Sequence, residues 1–196
     1  MLSQLNGIYA FAIWDQRDRT LFIARDGLAV KPLYYTRVEK GFLFASEMKA
    51  LLLEPTVDRS LNMRAVLNHL TYLWCPAPET ILSSVSKLEA GCAMKVRDGK
   101  IVDKWEFYRL PYSADTLDLT VREAAEQTQE QVRQAVKSQL VSDVPVGAFL
   151  SGGLDSSAVV AMARECQPDQ RIQCFTIELE GKGMGHEGTV DDLTYA

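Results

Sequence analysis

The sequence predicts a mixed α/β protein of two units, an α+β first unit and an α/β second unit, and three observations support this fold class. Short apolar runs separated by polar turns fill the first half of the chain, which is typical of antiparallel strands. After residue 140, a strand, a glycine-rich loop, a helix and a strand follow in the order of a parallel crossover. The charge also changes sign near residue 112, with 15 Lys and Arg against 12 Asp and Glu before it and 6 against 14 after it.

The first unit is expected to combine short strands with two helices. Apolar runs predict strands at residues 8–14, 21–24, 31–35 and 42–45. Helical spacing of apolar residues predicts helices at 47–53 and 61–73, and Ser60 or Asn62 is expected to cap the second. Apolar residues alternate with other residues on both sides of an Asp-Gly turn, which predicts a β-hairpin over residues 91–105.

A linker is predicted between the two units. Residues 108–119 contain Pro111 and scattered acidic residues, and they have no apolar periodicity. This interpretation places a first domain at residues 1–107 and a second domain at residues 120–196.

The second unit begins with the pattern of a capping box. In that arrangement Thr120 and Glu123 exchange hydrogen bonds between side chain and backbone, and they start a helix that we expect to reach Leu140. The remaining elements are a strand at residues 144–150, a helix ending at Arg164 and a strand at residues 173–179.

Composition excludes several classes of protein. A hydrophobic fraction of 47% provides enough apolar surface to fold, which excludes a mainly disordered chain. The net charge of −5 argues against nucleic acid and anionic membranes as partners. No apolar run approaches the ~20 residues of a membrane span, and the first residues lack a signal-peptide pattern. We interpret the four cysteines as free, buried thiols, so the protein is expected to be cytoplasmic.

The segment from Ser151 to Ser157 carries the clearest chemistry in the sequence. Gly152 and Gly153 lack Cβ atoms, so their backbone N–H groups can turn inward and form a concave site for anionic oxygens. The helix that follows places its positive end at the same point. The three serines of the segment add hydroxyl donors, and Asp155 offers a carboxylate that suits Mg²⁺ beside phosphates. The pattern therefore predicts a pyrophosphate site.

Other interpretations of this segment are weaker. The same residues could form an ordinary turn and helix cap, but the flanking strand and helix favour phosphate binding. The segment lacks the Gly-Lys-Ser/Thr ending of a P-loop and the Gly-x-Ser-x-Gly pattern of a nucleophile elbow. His186, with Asp191 and Asp192, could suggest a metal site, but its glycine-rich surroundings favour solvent exposure.

Residues 150–157 resemble the pyrophosphate loop of the N-type ATP pyrophosphatases, in the form of the motif that is typical of the asparagine synthetase branch. Their sequence is Leu150-Ser151-Gly152-Gly153-Leu154-Asp155-Ser156-Ser157. The first unit resembles the glutaminase domain of the same family at residues 5–15, 25–35, 44–51 and 78–81. The second of these segments is similar to the family signature Arg-Asp-x-x-Gly-x-Lys-Pro-Leu-Tyr-Tyr, with Ala29 in place of the usual glycine.

The resemblance implies a partial N-terminal-nucleophile glutaminase sandwich, followed by the first crossover of a parallel, Rossmann-like ATP-pyrophosphatase domain. Enzymes of this family make asparagine from aspartate, glutamine and ATP. Glutamine supplies ammonia, which attacks a β-aspartyl-adenylate, and AMP and pyrophosphate are released. The resemblance therefore implies small-molecule substrates, ATP and Mg²⁺ as cofactors, and a homodimer for the full-length enzyme.

Eight residues are implied as ATP or pyrophosphate contacts by the resemblance. They are Leu150, Ser151, Gly152, Gly153, Asp155, Ser156, Ser157 and Ile177. Leu150 and Ile177 would be weaker contacts on the adenine side, and Asp155 would hold Mg²⁺. No glutaminase catalytic residue is assigned, because the family's nucleophile is a cysteine at the mature N-terminus and the first cysteine here is Cys75.

We therefore expect an internal, inactive fragment of a glutamine-hydrolysing asparagine synthetase. Two alternatives stay open. The chain could be a non-catalytic protein that binds a nucleotide or a partner, or a related carboxylate-adenylating amidotransferase or β-lactam synthetase with another acceptor.

Two further groups of side chains are interpreted as structural. Arg25, Asp26 and Lys31 form a charged cluster that we expect to hold strand geometry and packing. The aromatic residues that we expect in the core are Trp14, Trp74, Trp105, Tyr34 and Tyr35.

Overall fold

The computed structural model describes residues 1–112 and 118–177. It divides into two compact units, Met1–Ala114 and Asp115–Ala196, which are described separately below. Within the described residues, the first unit contains β1 (Ala10–Asp15), β2 (Thr20–Arg25), β3 (Tyr34–Val38), β4 (Gly41–Ala45), α1 (Met48–Leu51), α2 (Met63–Tyr72), β5 (Val85–Lys87), β6 (Cys92–Arg97) and β7 (Lys100–Glu106). The mixed α/β class predicted from the sequence is confirmed.

Two antiparallel sheets form the first unit. One has the strand order β1-β2-β6-β7 and the other the order β4-β3-β5. The predicted hairpin is the β6–β7 pair, whose turn residues Asp98 and Gly99 have φ values of 48° and 72°. Positive φ at both central positions matches the right-handed twist of the flanking strands, which explains the Asp-Gly sequence at this turn.

The core of the first unit lies on both faces of the second sheet. Ile23 and Met94 of the first sheet pack in one cluster with Tyr35 and Phe42 of the second. On the opposite face, a second cluster is built on Leu51, Val57, Leu82 and Val85, and Tyr34 and Val38 pack against it. Neighbouring tyrosines of β3 therefore point to opposite faces, as the two-residue period of a strand requires.

Several strand bounds differ from the predicted ones. β3 begins at Tyr34, because Pro32 has no backbone N–H to donate to a neighbouring strand, and it continues to Val38. β5, which spans only Val85–Lys87, was not predicted, since three residues are too few for a pattern in sequence. β1 begins at Ala10 rather than at residue 8.

The prediction of a core position is wrong for two tryptophans, and two leucines of α2 are exposed. Asn62 caps α2, accepting a hydrogen bond from the Ala65 N–H at 3.2 Å, and Ala65 is buried. Leu67 and Leu70 of the same helix are exposed. Trp14 and Trp74 are exposed as well. Trp105 is half-buried and stacks on Phe22, with ring centroids 5.9 Å apart.

The Arg25–Asp26 pair holds a loop, in agreement with its structural interpretation. The Arg25 guanidinium, only 7% exposed, donates to the carbonyls of Ala29, Lys31 and Leu88 at 2.5–2.7 Å. The Asp26 carboxylate, 1% exposed, accepts from the N–H groups of Leu28, Val30 and Lys31 at 3.0–3.1 Å. Burial lowers the pKa of Arg25, since desolvation outweighs the neighbouring Asp26 charge.

The same loop contains a residue with a left-handed backbone. Ala29 has a φ of 56°, which is uncommon for a residue with a Cβ atom. The hydrogen bonds from Arg25 and to Asp26 surround Ala29 on both sides and hold this conformation in place of the glycine that the resemblance leads us to expect.

The second unit contains α3 (Val121–Gln139), β8 (Gly147–Phe149), α4 (Leu154–Cys166) and β9 (Gln173–Phe175) within the described residues. The predicted capping box is confirmed: the Thr120 N–H donates to the Glu123 carboxylate at 2.8 Å, and the Glu123 N–H donates to Thr120 Oγ1 at 3.3 Å. α3 and α4 pack side by side, with Val136 of α3 and Ala163 of α4 buried.

β8 and β9 form a parallel pair with α4 between them in sequence, which is the predicted strand–helix–strand order. β8 is shorter than the predicted strand at residues 144–150, because Pro145 cannot donate to a ladder. β9 ends at Phe175, and the last two residues of its predicted range lie outside the described part of the chain.

All four cysteines are free thiols, as expected, but the expectation that all are buried is wrong. Cys75 and Cys92 are buried, Cys166 is half-buried and Cys174 is exposed. Cys174 lies on β9, a three-residue strand whose side chains are all exposed in the described structure. Across residues 1–112 and 118–177, none of the helices has the length and apolar character that a membrane crossing requires.

Candidate functional site

The candidate site, called the candidate loop below, is the segment of residues 151–157 at the carboxyl end of β8. It consists of three loop residues, 151–153, and the first turn of α4. β8 pairs with β9 in parallel register, with Gly147 opposite Gln173 and Phe149 opposite Phe175. The Leu150 N–H extends the ladder by donating to the Phe175 carbonyl at 2.9 Å. Ligands in open parallel sheets bind at this edge, beyond the carboxyl ends of the strands.

The backbone of the loop has the shape that its glycines predict. Gly152 has a φ of 68°, in the left-handed region that glycine adopts without strain. Gly153 is the N-cap of α4 with φ −76°, and no side chain caps the helix. The first backbone N–H groups of a helix have no partner within the helix, so an uncapped start is suited to an anion.

The three serines of the loop differ in what their hydroxyls contact. Ser156 Oγ donates to the Gly153 carbonyl at 3.1 Å and accepts from the Ser151 N–H at 3.3 Å. Ser151 Oγ lies 3.1 Å from Ser156 Oγ. Because a hydroxyl has one proton, Ser151 is the donor of that pair. Ser156 therefore holds the loop together, while Ser151 and Ser157 are exposed at its surface.

Asp155 lies in the first turn of α4 and its side chain is exposed. No group of three or more His, Cys, Asp or Glu side chains in the described ranges could hold a metal ion by itself. Mg²⁺ is commonly bound by one or two carboxylates together with phosphate oxygens and water. A single carboxylate at the start of an uncapped helix fits that mode, so Asp155 suits Mg²⁺ only together with a phosphate ligand.

The two residues implied for the adenine side lie at the same strand edge. Leu150 is half-buried directly before the loop, and Ile177 is exposed two residues beyond β9. Phe149 and Phe175 are exposed beside them, with ring centroids 6.4 Å apart. The edge thus presents apolar side chains next to the polar loop, which suits a ligand with a flat apolar part and an anionic part.

Sequence reasoning missed one polar contact of this site. Thr176 Oγ1 donates to the Leu150 carbonyl at 2.8 Å, across 26 residues of sequence. A threonine after a short strand carries no local signal of such a bond. His186, Asp191 and Asp192, considered above as an alternative metal site, lie outside the described residues.

Two family models match the chain. A glutamine amidotransferase domain matches residues 1–108, and an asparagine synthase family matches residues 127–196. The candidate loop lies in the second match.

Curated proteins give similar matches over nearly the whole chain. "Asparagine synthetase [glutamine-hydrolyzing] 1" of Bacillus subtilis is 36% identical over 93% of this chain and 28% of its own length. "Putative asparagine synthetase [glutamine-hydrolyzing] 2" of Methanocaldococcus jannaschii is 35% identical over 92% of this chain and 35% of its own. A relative with a different name, "Amidase chry2" of Gibberella zeae, is 33% identical over 93% of this chain and 29% of its own.

The chain thus spans about a third of the length of the curated relatives it matches, between 28% and 35% in the first two. The glutamine amidotransferase match covers 108 of the 196 residues, more than half. The chain therefore belongs to the family of proteins that carry a glutamine amidotransferase domain, followed here by a segment of the asparagine synthase family.

Proposed function

We propose that residues 151–157 bind the pyrophosphate part of ATP together with Mg²⁺. The observation that carries this proposal is the uncapped start of α4, preceded by a left-handed Gly152 at the carboxyl end of a parallel strand. Backbone N–H groups and the positive end of the helix both point to an anion there.

Each implied residue has a distinct part in this proposal. Ser157, which is exposed, donates a hydroxyl hydrogen bond to a phosphate oxygen, and Ser151 does the same when its hydroxyl turns from Ser156 to the ligand. The Gly152 and Gly153 backbone lets those oxygens approach closely. Ser156 contributes through the loop geometry that it holds. The remaining members of the set are Asp155, which would bind Mg²⁺ beside the phosphates, and Leu150 and Ile177, which would contact the adenine side.

The reaction proposed for the full-length protein is asparagine synthesis from aspartate, glutamine and ATP, through a β-aspartyl-adenylate with release of AMP and pyrophosphate. The names of the two asparagine synthetases reported above support it. In this proposal residues 1–107 belong to the glutaminase domain, residues 108–119 are a linker, and residues 120–196 belong to the ATP-binding domain. No residue of this chain is assigned to glutamine hydrolysis.

Charge and composition support a proposal for the substrate class and the cellular compartment of this reaction. The net charge of −5 favours small-molecule substrates over nucleic acid or an anionic membrane. The four free thiols favour the cytoplasm, where thiols stay reduced. The resemblance also implies a homodimer, and we propose this assembly for the full-length enzyme.

A related function with a different acceptor is the second candidate. The match to "Amidase chry2" favours it, because that protein is nearly as similar to this chain and has a different name. In that case the loop would still bind the pyrophosphate of ATP, and another carboxylate would be activated. Assaying the full-length protein with aspartate and with other carboxylic acids separates the two candidates.

Two glycine substitutions test the loop itself. We expect Gly152→Ala to weaken pyrophosphate binding about tenfold, because a Cβ atom in the left-handed region costs roughly 1–2 kcal/mol and 1.4 kcal/mol is tenfold. Gly153→Ala adds the same methyl at a φ of −76°, where a Cβ atom causes no backbone strain. We expect a smaller loss in this variant, which measures only the space that the phosphate needs beside Gly153.

The measurement is calorimetric titration of the 196-residue chain with inorganic pyrophosphate and MgCl₂. Equal affinities in the wild type and in Gly152→Ala would contradict the proposed use of the loop. An equally large loss in both variants would show that space for the phosphate, rather than backbone conformation, sets the affinity.

A further inference from the structure

Leu150, at the start of the candidate loop, makes two hydrogen bonds, one to β9 and one to the residue directly after it. The Leu150 N–H donates to the Phe175 carbonyl at 2.9 Å, and the Leu150 carbonyl accepts from Thr176 Oγ1 at 2.8 Å. The first bond belongs to the parallel ladder. The second uses a side chain, and it lies at the point where the chain leaves the sheet and enters the loop.

The Leu150 carbonyl and the Ser151 N–H belong to the same peptide plane. Because the peptide bond is rigid, turning one of these groups turns the other. The carbonyl end of this plane is held by Thr176 Oγ1, and the N–H end donates to Ser156 Oγ at 3.3 Å. Ser156 Oγ in turn donates to the Gly153 carbonyl at 3.1 Å. These hydrogen bonds connect Thr176 to the glycine turn.

We propose that Thr176 is a positioning residue for the pyrophosphate loop, its hydroxyl fixing the Leu150–Ser151 peptide plane and thereby the direction of the Ser151 N–H. This inference rests on the proposed function for its ligand. Its structural part, the fixing of one peptide plane, does not depend on any ligand.

Among the residues that the structure describes, Thr176 and Ser156 provide the hydrogen bonds to this peptide plane. β8 and β9 are three residues long, and the side chains of Phe149 and Phe175 at their ends are exposed. Thr176 itself is half-buried and β-branched, so its χ1 is restricted and its hydroxyl stays directed at the carbonyl. A binding loop gains affinity when it is already ordered before the ligand arrives, because less ordering is then required on binding.

The substitution Thr176→Val removes the hydroxyl and keeps the branched shape. We expect the Ser151 amide to exchange its hydrogen about fivefold faster, and pyrophosphate with MgCl₂ to bind about fivefold more weakly, which is the effect of one hydrogen bond of about 1 kcal/mol. Thr176→Ser keeps the hydroxyl, so both quantities should return to within about twofold of the wild type.

Thr128→Val is the matched control. Thr128 Oγ1 donates to the Ala124 carbonyl at 2.7 Å within α3, so the variant loses the same kind of bond away from the loop. Ser151 exchange and pyrophosphate affinity should both stay at the wild-type values in this variant.

The two measurements separate failure of this inference from failure of the proposed function. Unchanged Ser151 exchange in Thr176→Val would overturn the inference, whether or not the wild type binds pyrophosphate. Failure of Thr176→Ser to restore the exchange rate would do the same, because the hydroxyl would then not be the group that matters. A wild-type chain that does not bind pyrophosphate would instead overturn the proposed function.

Discussion

Replacing Asp26 with alanine should lower the free energy of unfolding of the first unit by about 3 kcal/mol. The carboxylate is 1% exposed and accepts from three backbone N–H groups, which the variant leaves without their acceptor. The variant also leaves the buried Arg25 guanidinium without its neighbouring negative charge. The loop around Ala29 should then lose its ordered structure, because these hydrogen bonds hold Ala29 in its left-handed conformation.

Urea unfolding followed by tryptophan fluorescence measures this effect in the first unit alone, because Trp14, Trp74 and Trp105 all lie in that unit. Asp103→Ala is the control, since Asp103 is an exposed aspartate on β7 of the same unit. A loss in Asp26→Ala no larger than in Asp103→Ala would contradict the structural role of the Arg25–Asp26 pair.

The pH dependence of stability provides a second test of Asp26. Burial would raise the pKa of Asp26, but the N–H donors of Lys31, Val30 and Leu28 outweigh burial and lower it. A carboxyl whose pKa is lower in the folded state stabilises fully above its unfolded pKa of about 3.9. That contribution is lost as the pH falls through the folded pKa. The wild type should therefore lose more stability on acidification than Asp26→Ala does.

Replacing Asp155 with asparagine should abolish most of the Mg²⁺ dependence of pyrophosphate binding. Asparagine keeps the size of the side chain but has no charge, and loss of a charged ligand group should weaken binding in MgCl₂ by about tenfold or more. Without Mg²⁺, the variant should bind pyrophosphate at least as tightly as the wild type, because a negative charge has been removed.

Asp169→Asn is the matched control for this variant. Asp169 is exposed and lies three residues beyond the end of α4, at the opposite end of the helix from Asp155. Titrations of both variants with pyrophosphate, with and without MgCl₂, give the comparison. An Asp155→Asn variant that keeps the wild-type response to MgCl₂ would remove Asp155 from the metal site.

Local features of this fold could be predicted from the sequence. The capping box of Thr120 and Glu123, the Asp98-Gly99 hairpin and the glycine loop each depend on residues close together in the chain. Their backbone conformations follow from steric limits and neighbouring hydrogen bonds, so a short pattern specifies them.

Features that depend on distant residues could not be predicted in this way. Arg25 donates to the carbonyl of Leu88, 63 residues away, and Thr176 donates to Leu150 across 26 residues. Exposure of Leu67 and Leu70 on α2 could not be predicted either, because apolar spacing indicates a helix without indicating what its apolar side chains contact.

For the candidate site, the sequence identifies the loop and its residue types. The structure adds the hydrogen-bond partners of the serine hydroxyls. Three serines in one loop look equivalent as donors. Only the geometry distinguishes Ser156, whose proton is given to the Gly153 carbonyl, from the exposed Ser151 and Ser157.

The central claim is that residues 151–157 hold the pyrophosphate of ATP, and backbone hydrogen exchange with and without ATP and MgCl₂ tests it most directly. Bound ATP should slow exchange of the amides in this loop, including the first turn of α4, and exchange in β2 and β6 of the first unit should not change. Binding of ATP that leaves the loop amides unchanged, or no binding of ATP at all, would contradict it.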